Sequence, residues 1–218
     1  MMSFAKKMAG PEWRVAVYIL LMGATLGACT NICIIDNTTV KADFDKAKFS
    51  GVWFAISKKD PEGVFLQDNI KAIFTVDNGS MAATAYGRVN IFGTWVTCAE
   101  MHGKFINTNH PSIFQMKYRG IFEYLARGED DFWVIDTDYN SFAVTYSCRE
   151  RNEDGSCSDS YSLIFSRSLE ELPRATKRRI NSAQRRLCLA KQYRRLLNDG
   201  KCPVKDEVHS LRTTNVDN

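Results

Sequence analysis

The chain has 218 residues, of which seven are cysteines, and its formal net charge is +4. Without residues 1–28, which hold Lys6, Lys7, Arg14 and Glu12, that charge would fall to +2. A net charge this small gives no support for nucleic-acid binding, which depends on a basic surface. The ~190 residues that would remain suit one domain, here placed at 29–202.

Residues 1–28 have the pattern of a secretory signal peptide, with cleavage expected between positions 28 and 30. Basic residues precede an uncharged run of 14 residues, Val15 to Ala28. This run is shorter than the ~20 residues that span a bilayer, and the small residues at its end suit signal peptidase. A membrane anchor is the alternative interpretation. We therefore expect a secreted, extracellular protein with no membrane span.

Period-two alternation of apolar and polar residues recurs from residue 52 to residue 167, with turn residues between the runs. Asp77-Asn78-Gly79 is one such turn and is typical of a hairpin. Short connections of this kind favour an antiparallel up-and-down meander. Eight strands are predicted, near 51–59, 68–76, 81–90, 96–106, 113–120, 128–137, 142–150 and 157–166.

The third predicted strand has unusually small side chains on one face. Met81, Ala83 and Ala85 share this face with Gly87. If the face points inward, it leaves space that larger residues would fill in a packed barrel. A second interpretation is that the small residues accommodate a neighbouring helix.

After Pro173 the apolar period becomes helical, with Ile180, Ala183, Leu187 and Ala190 at three- and four-residue spacing. The pattern predicts an amphipathic helix on the barrel wall. Residues 170–202 hold ten Lys or Arg against three acids. This charge is either a solvated face or a patch for an acidic partner such as heparan sulfate. The basic residues considered for that patch include Arg178, Arg179, Arg185 and Arg186.

The cysteine count is informative because it is odd. Cleavage just beyond Cys29 would leave six cysteines, which allow fifteen pairings. Cys148 and Cys157 flank the turn sequence 152–155, so a bridge across a hairpin is favoured for this pair. The alternative is that some of the cysteines are buried free thiols. Residues 203–218 are polar without periodicity, and we expect a flexible tail there.

Catalytic and metal-binding patterns are absent from the sequence. Its three histidines have no metal-ligand spacing, and no nucleophile elbow, phosphate loop or dinucleotide fingerprint occurs. Four aspartates cluster at predicted strand ends, where solvated acids and turn caps are the ordinary explanation: Asp130, Asp131, Asp136 and Asp138. We therefore expect no enzyme activity, no metal and no cofactor.

Several blocks along the chain match one known family. Gly51-Val52-Trp53, Thr137-Asp138-Tyr139 and Arg167 stand in the order of the three lipocalin signatures. Longer runs, such as KKDPEG at 58–63 and LQDNI at 66–70, extend the match over about residues 33–202. The chain resembles the lipocalins, in their retinol-binding protein and purpurin branch. The resemblance implies an all-β fold with one C-terminal helix, an eight-stranded antiparallel up-and-down barrel around one small apolar ligand.

The resemblance also implies a set of covalent and packing contacts. It implies the disulfides Cys33–Cys188, Cys98–Cys202 and Cys148–Cys157. Trp53 would lie at the closed end of the barrel and form its floor, with Arg167 stacked over the outer face of the indole. Some isomerases of this fold use an unpaired cysteine, for which Cys98 or Cys29 would be the candidate. Pairing of the later six leaves no such thiol in the cavity.

A retinoid, retinol above all, is the ligand that the resemblance implies, carried outside the cell. Phe132, Thr145 and Ala126 stand where the branch usually has polar residues, so retinal, another isoprenoid or a fatty acid remain alternatives. The implied ligand-binding positions are Val64, Phe65, Leu66, Ala72, Phe74, Ala83, Ala85, Val89, Met101, Met116, Tyr118, Ala126, Phe132, Thr145, Tyr161 and Leu163.

The same resemblance implies a transthyretin-like partner at the barrel mouth. Arg119 replaces an exposed Trp of the branch, and loss of an aromatic anchor weakens that expectation. A purpurin-like local carrier, held near cells by the basic helix, is the competing interpretation. Sequons at Asn37 and Asn78 are candidate glycosylation sites. The mouth positions are Asn90, Ile91, Phe92, Lys117, Arg119, Glu123, Tyr124 and Leu125.

Overall fold

The computed structural model describes residues 35, 38–63, 65–91, 95–120, 123 and 129–202. The predicted leader and the predicted C-terminal tail lie outside these residues. Within them, no helix has the length and apolar character that crossing a bilayer requires.

Eight long strands form where the alternation predicted them, and each begins and ends within two residues of the predicted position. A one-turn helix before the first strand and a two-residue strand after the long helix were not predicted. In chain order the elements are α1 (Lys46–Phe49), β1 (Gly51–Lys59), β2 (Leu66–Asp77), β3 (Ser80–Ile91), β4 (Trp95–Asn107), β5 (Ile113–Arg119), β6 (Glu129–Thr137), β7 (Phe142–Arg151), β8 (Cys157–Ser166), α2 (Arg174–Arg186) and β9 (Arg194–Arg195).

The strands form a closed antiparallel barrel. From β2 to β8 each strand pairs with the next one along the chain, and β1 completes the ring by pairing with both β8 and β2. Because successive side chains of a strand point to opposite faces, closure gives every strand an inner and an outer row. The predicted eight-stranded up-and-down barrel is therefore confirmed.

The seam between β1 and β2 is paired only near the closed end. There residues Gly51–Phe54 of β1 pair with β2. Further along the same edge of β1, Ser57 and Lys58 pair with β9. The segment after β9 continues this bridge, since the Leu197 carbonyl accepts the amide N–H of Asn69 at 2.7 Å. The chain that follows α2 thus closes the gap between β1 and β2 at the mouth.

Trp53 closes the floor of the barrel, and Arg167 covers it from outside. The Trp53 indole N–H donates to the Phe49 carbonyl at 2.8 Å, and the guanidinium carbon of Arg167 lies 3.8 Å from the Trp53 ring centroid. Arg167 also donates to the carbonyls of Val52 at 2.8 Å and Tyr139 at 3.0 Å. One side chain therefore ties α1, β1 and the β6–β7 turn together.

Helix α2 packs on the outer wall of β6 and β7. Its buried residues Ile180 and Ala183 belong to an apolar cluster with Val144 of β7. The predicted helical period fails at its end, because Cys188 has φ +55° and Ala190 is exposed beyond the helix. The left-handed backbone at Cys188 ends the helix, so Ala190 does not belong to the buried face.

Two of the implied disulfides are present, Cys98–Cys202 and Cys148–Cys157. Cys188 is also disulfide-bonded, while its implied partner Cys33 lies outside the described residues. The first bridge anchors the chain after β9 to β4. Because Cys98 is paired, it is not a thiol nucleophile for catalysis.

Replacing Arg167 should destabilise the barrel floor. We expect Arg167→Leu to lower the free energy of unfolding by about 2 to 4 kcal/mol, since several charge-assisted hydrogen bonds and the stacking on Trp53 are lost together. Urea unfolding followed by tryptophan fluorescence measures the change. Arg185→Leu, which removes an exposed arginine of α2, is the matched control and should cost less than about 0.5 kcal/mol.

The two disulfides should differ in their contributions to stability. Cys98 and Cys202 are 104 residues apart and Cys148 and Cys157 are nine apart. In the chain-entropy model these loops correspond to about 4.7 and about 2.6 kcal/mol. We expect paired Cys→Ser variants to reproduce that order in urea unfolding, and equal losses would contradict it.

Candidate functional site

The inner rows of the strands enclose an apolar cavity of about 70 Å³. Pockets for ligands of drug size usually measure ~300 to 1,000 Å³, so a larger lipid requires side chains to move when it enters. Many residues implied by the resemblance line this cavity together. They are Phe65, Leu66, Ala72, Phe74, Ala83, Ala85, Met101, Met116, Tyr118, Phe132, Tyr161 and Leu163.

Of the four remaining implied positions, the structure describes two. Val89 and Thr145 are buried but do not line this cavity. Val89 lies opposite Leu66 in the β2–β3 pairing, and the Thr145 hydroxyl is directed to the Leu163 carbonyl, at 3.5 Å. Val64 and Ala126 fall outside the described residues.

Four lining residues were missed by sequence reasoning: Ile70, Gly103, Phe105 and Phe165. Ile70 shares its alternating face with Ala72 and Phe74, so the period-two pattern could have identified it. Gly103 gives no such signal. A Cβ there would lie 3.1 Å from the Met116 sulfur, so the glycine lets Met116 lie against β4.

The small residues of β3 face the cavity. Ala83 and Ala85 line it, whereas α2 lies on the outer wall of β6 and β7. Of the two interpretations of this strand, the structure therefore supports the cavity. At the deep end, Phe132 and Phe105 pack with their ring centroids 4.8 Å apart. This aromatic pair limits the depth that is open in the unliganded barrel.

A buried polar network lies on the inner faces of the strands at the mouth end of the cavity. The Tyr118 hydroxyl donates to Asp130 at 2.7 Å and lies 3.0 Å from the Tyr161 hydroxyl. Arg149 lies between Asp130, at 3.6 Å, and Asp159, at 3.2 Å. The network joins strands β5 to β8 at the end of the barrel opposite Trp53.

The expectation that Asp130 is solvated is wrong, because only 4% of this residue is exposed. Burial raises the pKa of Asp130 to about 6, and it also raises the pKa of both Tyr118 and Tyr161. The neighbouring Asp131 points outward and pairs with Arg151 at 3.2 Å. Adjacent residues of one strand thus have opposite environments.

The other two aspartates behave as surface groups. Asp138 accepts the amide N–H groups of Ser141 at 2.8 Å and Phe142 at 3.0 Å, which confirms its role as a turn cap. These bonds contribute to a lowered pKa of Asp138, against the opposing effect of its partial burial. Asp136 pairs with Arg179 of α2 at 2.7 Å.

A second buried charge lies at the β1–β2 corner. Lys58 is 1% exposed, donates to the Leu66 carbonyl and pairs with Asp60. Burial lowers the pKa of Lys58. Arg194 of β9 bridges Asp60 at 2.6 Å and Asp68 at 3.1 Å, so the two cations and two carboxylates of this cluster balance.

Among the described residues, no group of three or more His, Cys, Asp or Glu side chains could hold a metal ion. Asn78 lies in the exposed β2–β3 turn, and Asn37 is outside the described residues. Of the mouth positions, Asn90, Lys117, Arg119 and Glu123 are exposed. Ile91 ends β3, and Phe92, Tyr124 and Leu125 lie outside the described residues.

Comparison with known proteins agrees with this geometry. The model of the lipocalin / cytosolic fatty-acid binding protein family matches residues 50–187. The chain is 49% identical over 201 residues to retinol-binding protein 4 of Rattus norvegicus, covering 92% of this chain and 100% of the relative. It is 46% identical over 173 residues to purpurin of Gallus gallus, covering 78% and 88%.

Solved structures share the fold at low sequence identity. Lobster apocrustacyanin A1 superposes with a TM-score of 0.58 at 17% identity, covering 73% of this chain and 82% of that one. Insecticyanin of the tobacco hornworm Manduca sexta superposes with a TM-score of 0.55 at 18% identity, covering 78% and 89%. The family match over residues 50–187 and the 49% identity to retinol-binding protein 4, together with the barrel, show that the chain belongs to the lipocalin family.

Proposed function

We propose that this protein is a secreted carrier that binds one retinoid, retinol above all, in the barrel cavity and transports it outside the cell. The observation that carries the proposal is a closed barrel with an apolar interior in a chain 49% identical to a protein named retinol-binding protein 4. The chain spans the whole length of that relative.

Apolar burial supplies the binding energy in this proposal. A ligand with about twenty heavy atoms, at roughly 0.3 to 0.4 kcal/mol each, gains about 6 to 8 kcal/mol, which corresponds to low-micromolar affinity or better. The small side chains Ala83 and Ala85 leave room for the bulky end of the ligand. The Phe132 side chain must move away from Phe105 before the ligand can reach the deep end of the barrel.

The proposed ligand contacts include the twelve implied residues that line the cavity. Val64 and Ala126 are retained as contacts on the resemblance alone, and Val89 and Thr145 as neighbours of the lining. Phe132 replaces a polar residue of the branch with an apolar one, which leaves retinal, another isoprenoid or a fatty acid as the alternative cargo.

Secretion and a non-catalytic role complete the proposal. Disulfides persist in oxidising compartments, and this chain has two fully described ones. No cofactor or metal takes part, and the retinoid is cargo. Glycans on Asn37 and Asn78 are compatible with this route, since the Asn78 turn is exposed.

A second candidate function is attachment to heparan sulfate through α2. Arg178, Arg185 and Arg186 are exposed on this helix, whereas Arg179 is held by Asp136 and lies 4.7 Å from the Phe142 ring. A transthyretin-like partner is the weaker proposal, because Arg119 offers no aromatic anchor.

Filling the cavity should abolish ligand uptake. We expect Ala85→Trp to weaken all-trans-retinol binding at least tenfold, because the indole occupies the lined space. Ala82→Trp, which places the same side chain on the outer face of β3, is the matched control and should bind one equivalent. Retinol fluorescence and tryptophan quenching measure binding, and unchanged uptake by Ala85→Trp would reject the site.

Removing three exposed arginines of α2 should reduce retention on heparin. We expect Arg178, Arg185 and Arg186→Ala together to elute at clearly lower salt than the parent protein. A triple Lys104, Lys117 and Arg119→Ala variant removes the same charge from the sheet and is the control. Equal shifts for both variants would mean that net charge alone, without a site on α2, governs retention.

A further inference from the structure

The outer face of strands β2 to β4 forms a groove of about 650 Å³ that the carrier function does not use. Its floor is the outer row of β3, where the side chains of Ala82 and Thr84 are small. Thr75 of β2 lies opposite Ala82 on one side, and Lys104 of β4 lies opposite it on the other. The longer side chains of β4 therefore form a wall beside a low strand.

A candidate glycosylation site lies at one end of this groove. Asn78-Gly79-Ser80 is a sequon, and both Asn78 and Ser80 belong to the groove lining. Asn78 has φ +46° and is exposed in the β2–β3 turn. A sugar chain attached to this turn therefore begins at the end of the groove.

The groove offers hydroxyl groups near the turn and cations further along β3. Thr75 and Ser80 are exposed and line the end beside the sequon, whereas Lys104 and Arg119 line the groove further towards the mouth. Successive residues of a strand are ~3.3 Å apart. Lys104, which lies opposite Ala82, is therefore within reach of a sugar chain that begins in the turn.

Lys104 lies next to another cation and has no acidic partner. In the β4–β5 pairing it stands directly opposite Lys117, and like charges in such a position destabilise a sheet. Lys117 forms an ion pair with Glu129. In the part of the chain that the structure describes, no carboxylate forms an ion pair with Lys104. An added anion would offset this repulsion.

Arg119 is in the same situation on the next row of the sheet. It stands directly opposite His102, and Glu100 lies beside His102 at 3.2 Å. Over the described ranges, Arg119 has no ion pair of its own. The acid of the groove lining, Asp77, is at the other end, beside Asn78. The far end of the groove is therefore suited to negative charge and the near end to neutral groups.

From these observations we propose that the groove holds the sugar chain attached to Asn78. The chain folds back along the outer face of β3, its neutral core sugars lie over the small residues and hydroxyl groups, and its terminal sialic acids contact Lys104 and Arg119. The inference rests on the secretion that the proposed function includes, because a sequon is used only in a protein that enters the secretory route.

This arrangement gives the two basic faces of the molecule different roles. The sugar chain covers Lys104 and Arg119 on the sheet, so acidic partners do not reach them. Arg178 and Arg185 of α2 stay exposed on the other side of the barrel wall. An acidic partner from outside then meets the helix and not the sheet.

Chemical labelling of lysines tests where the sugar chain lies. The full chain is secreted as an Asn37→Gln protein from vertebrate cells that add sialic acid, so that one sequon remains. We expect acetic anhydride to acetylate Lys104 roughly two- to fivefold more slowly in this protein than in one that also carries Ser80→Ala and lacks the sequon. Peptide mass spectrometry measures the rates. Lys177 of α2 is the internal control, and equal rates at Lys104 would overturn the proposal.

Release of sialic acid by sialidase tests the same contact from the side of the sugar. In the protein that keeps the Asn78 glycan, Lys104→Gln with Arg119→Gln should speed release roughly two- to fivefold, because the sialic acids lose both ionic partners. Arg178→Gln with Arg185→Gln removes the same charge from α2 and should leave the rate unchanged. Equal acceleration by the two pairs would assign the effect to net charge and reject the contact.

The outcomes separate this inference from the proposed function. A protein that stays inside the cells contradicts both secretion and the glycan. A secreted protein with an unmodified Asn78 peptide rejects the glycan alone, and retinol binding is unaffected. If Asn78 is glycosylated and neither rate changes, the position along β3 is wrong. Should the Ser80→Ala protein fail to be secreted, the sialidase comparison still decides, since both of its variants keep the sequon.

Discussion

Closure of the sheet by β1 is the constraint on which the rest of the molecule depends. An open sheet would expose unpaired backbone groups along two edges, whereas the pairing of β1 with both β2 and β8 joins those edges. Only a closed ring has an inside. The seam is nevertheless incomplete at the mouth, where β9 and the chain after it supply the missing hydrogen bonds to β1 and β2. The segment after α2 is therefore part of the barrel wall.

The inside of the barrel is graded from floor to mouth. Trp53 and a cluster of phenylalanines pack the closed end, and Arg167 seals it through carbonyl groups that α1 and the strand ends leave free. Above this end, the small side chains of Ala83 and Ala85 leave space in the middle of the barrel. Among the described residues, charged groups are buried towards the mouth, where Asp130 and Lys58 require partners because isolated charges are costly to bury. This order suits a ligand that enters with its apolar end first.

Similarity to retinol-binding protein 4 covers the whole of that relative, yet the cavity has its own character. Phe132 packs against Phe105, and the empty space is small until such side chains move. The aromatic pair limits the depth that is open in the unliganded barrel, and the polar network around Asp130 joins the strands near the mouth.

The sequence by itself determined the strands, the floor residues and much of the cavity lining, because period-two alternation and turn residues are local, and because the blocks around Trp53 and Arg167 are specific to one family. It could not place β9, whose two arginines form a strand only against the edge of β1 that β2 leaves unpaired. Alternation along β6 places Asp130 on the inner face with Phe132 and Asp131 on the outer face. It could not supply the partners of the inner acid, because Tyr118 and Arg149 belong to other strands and only the closure of the barrel brings them to Asp130.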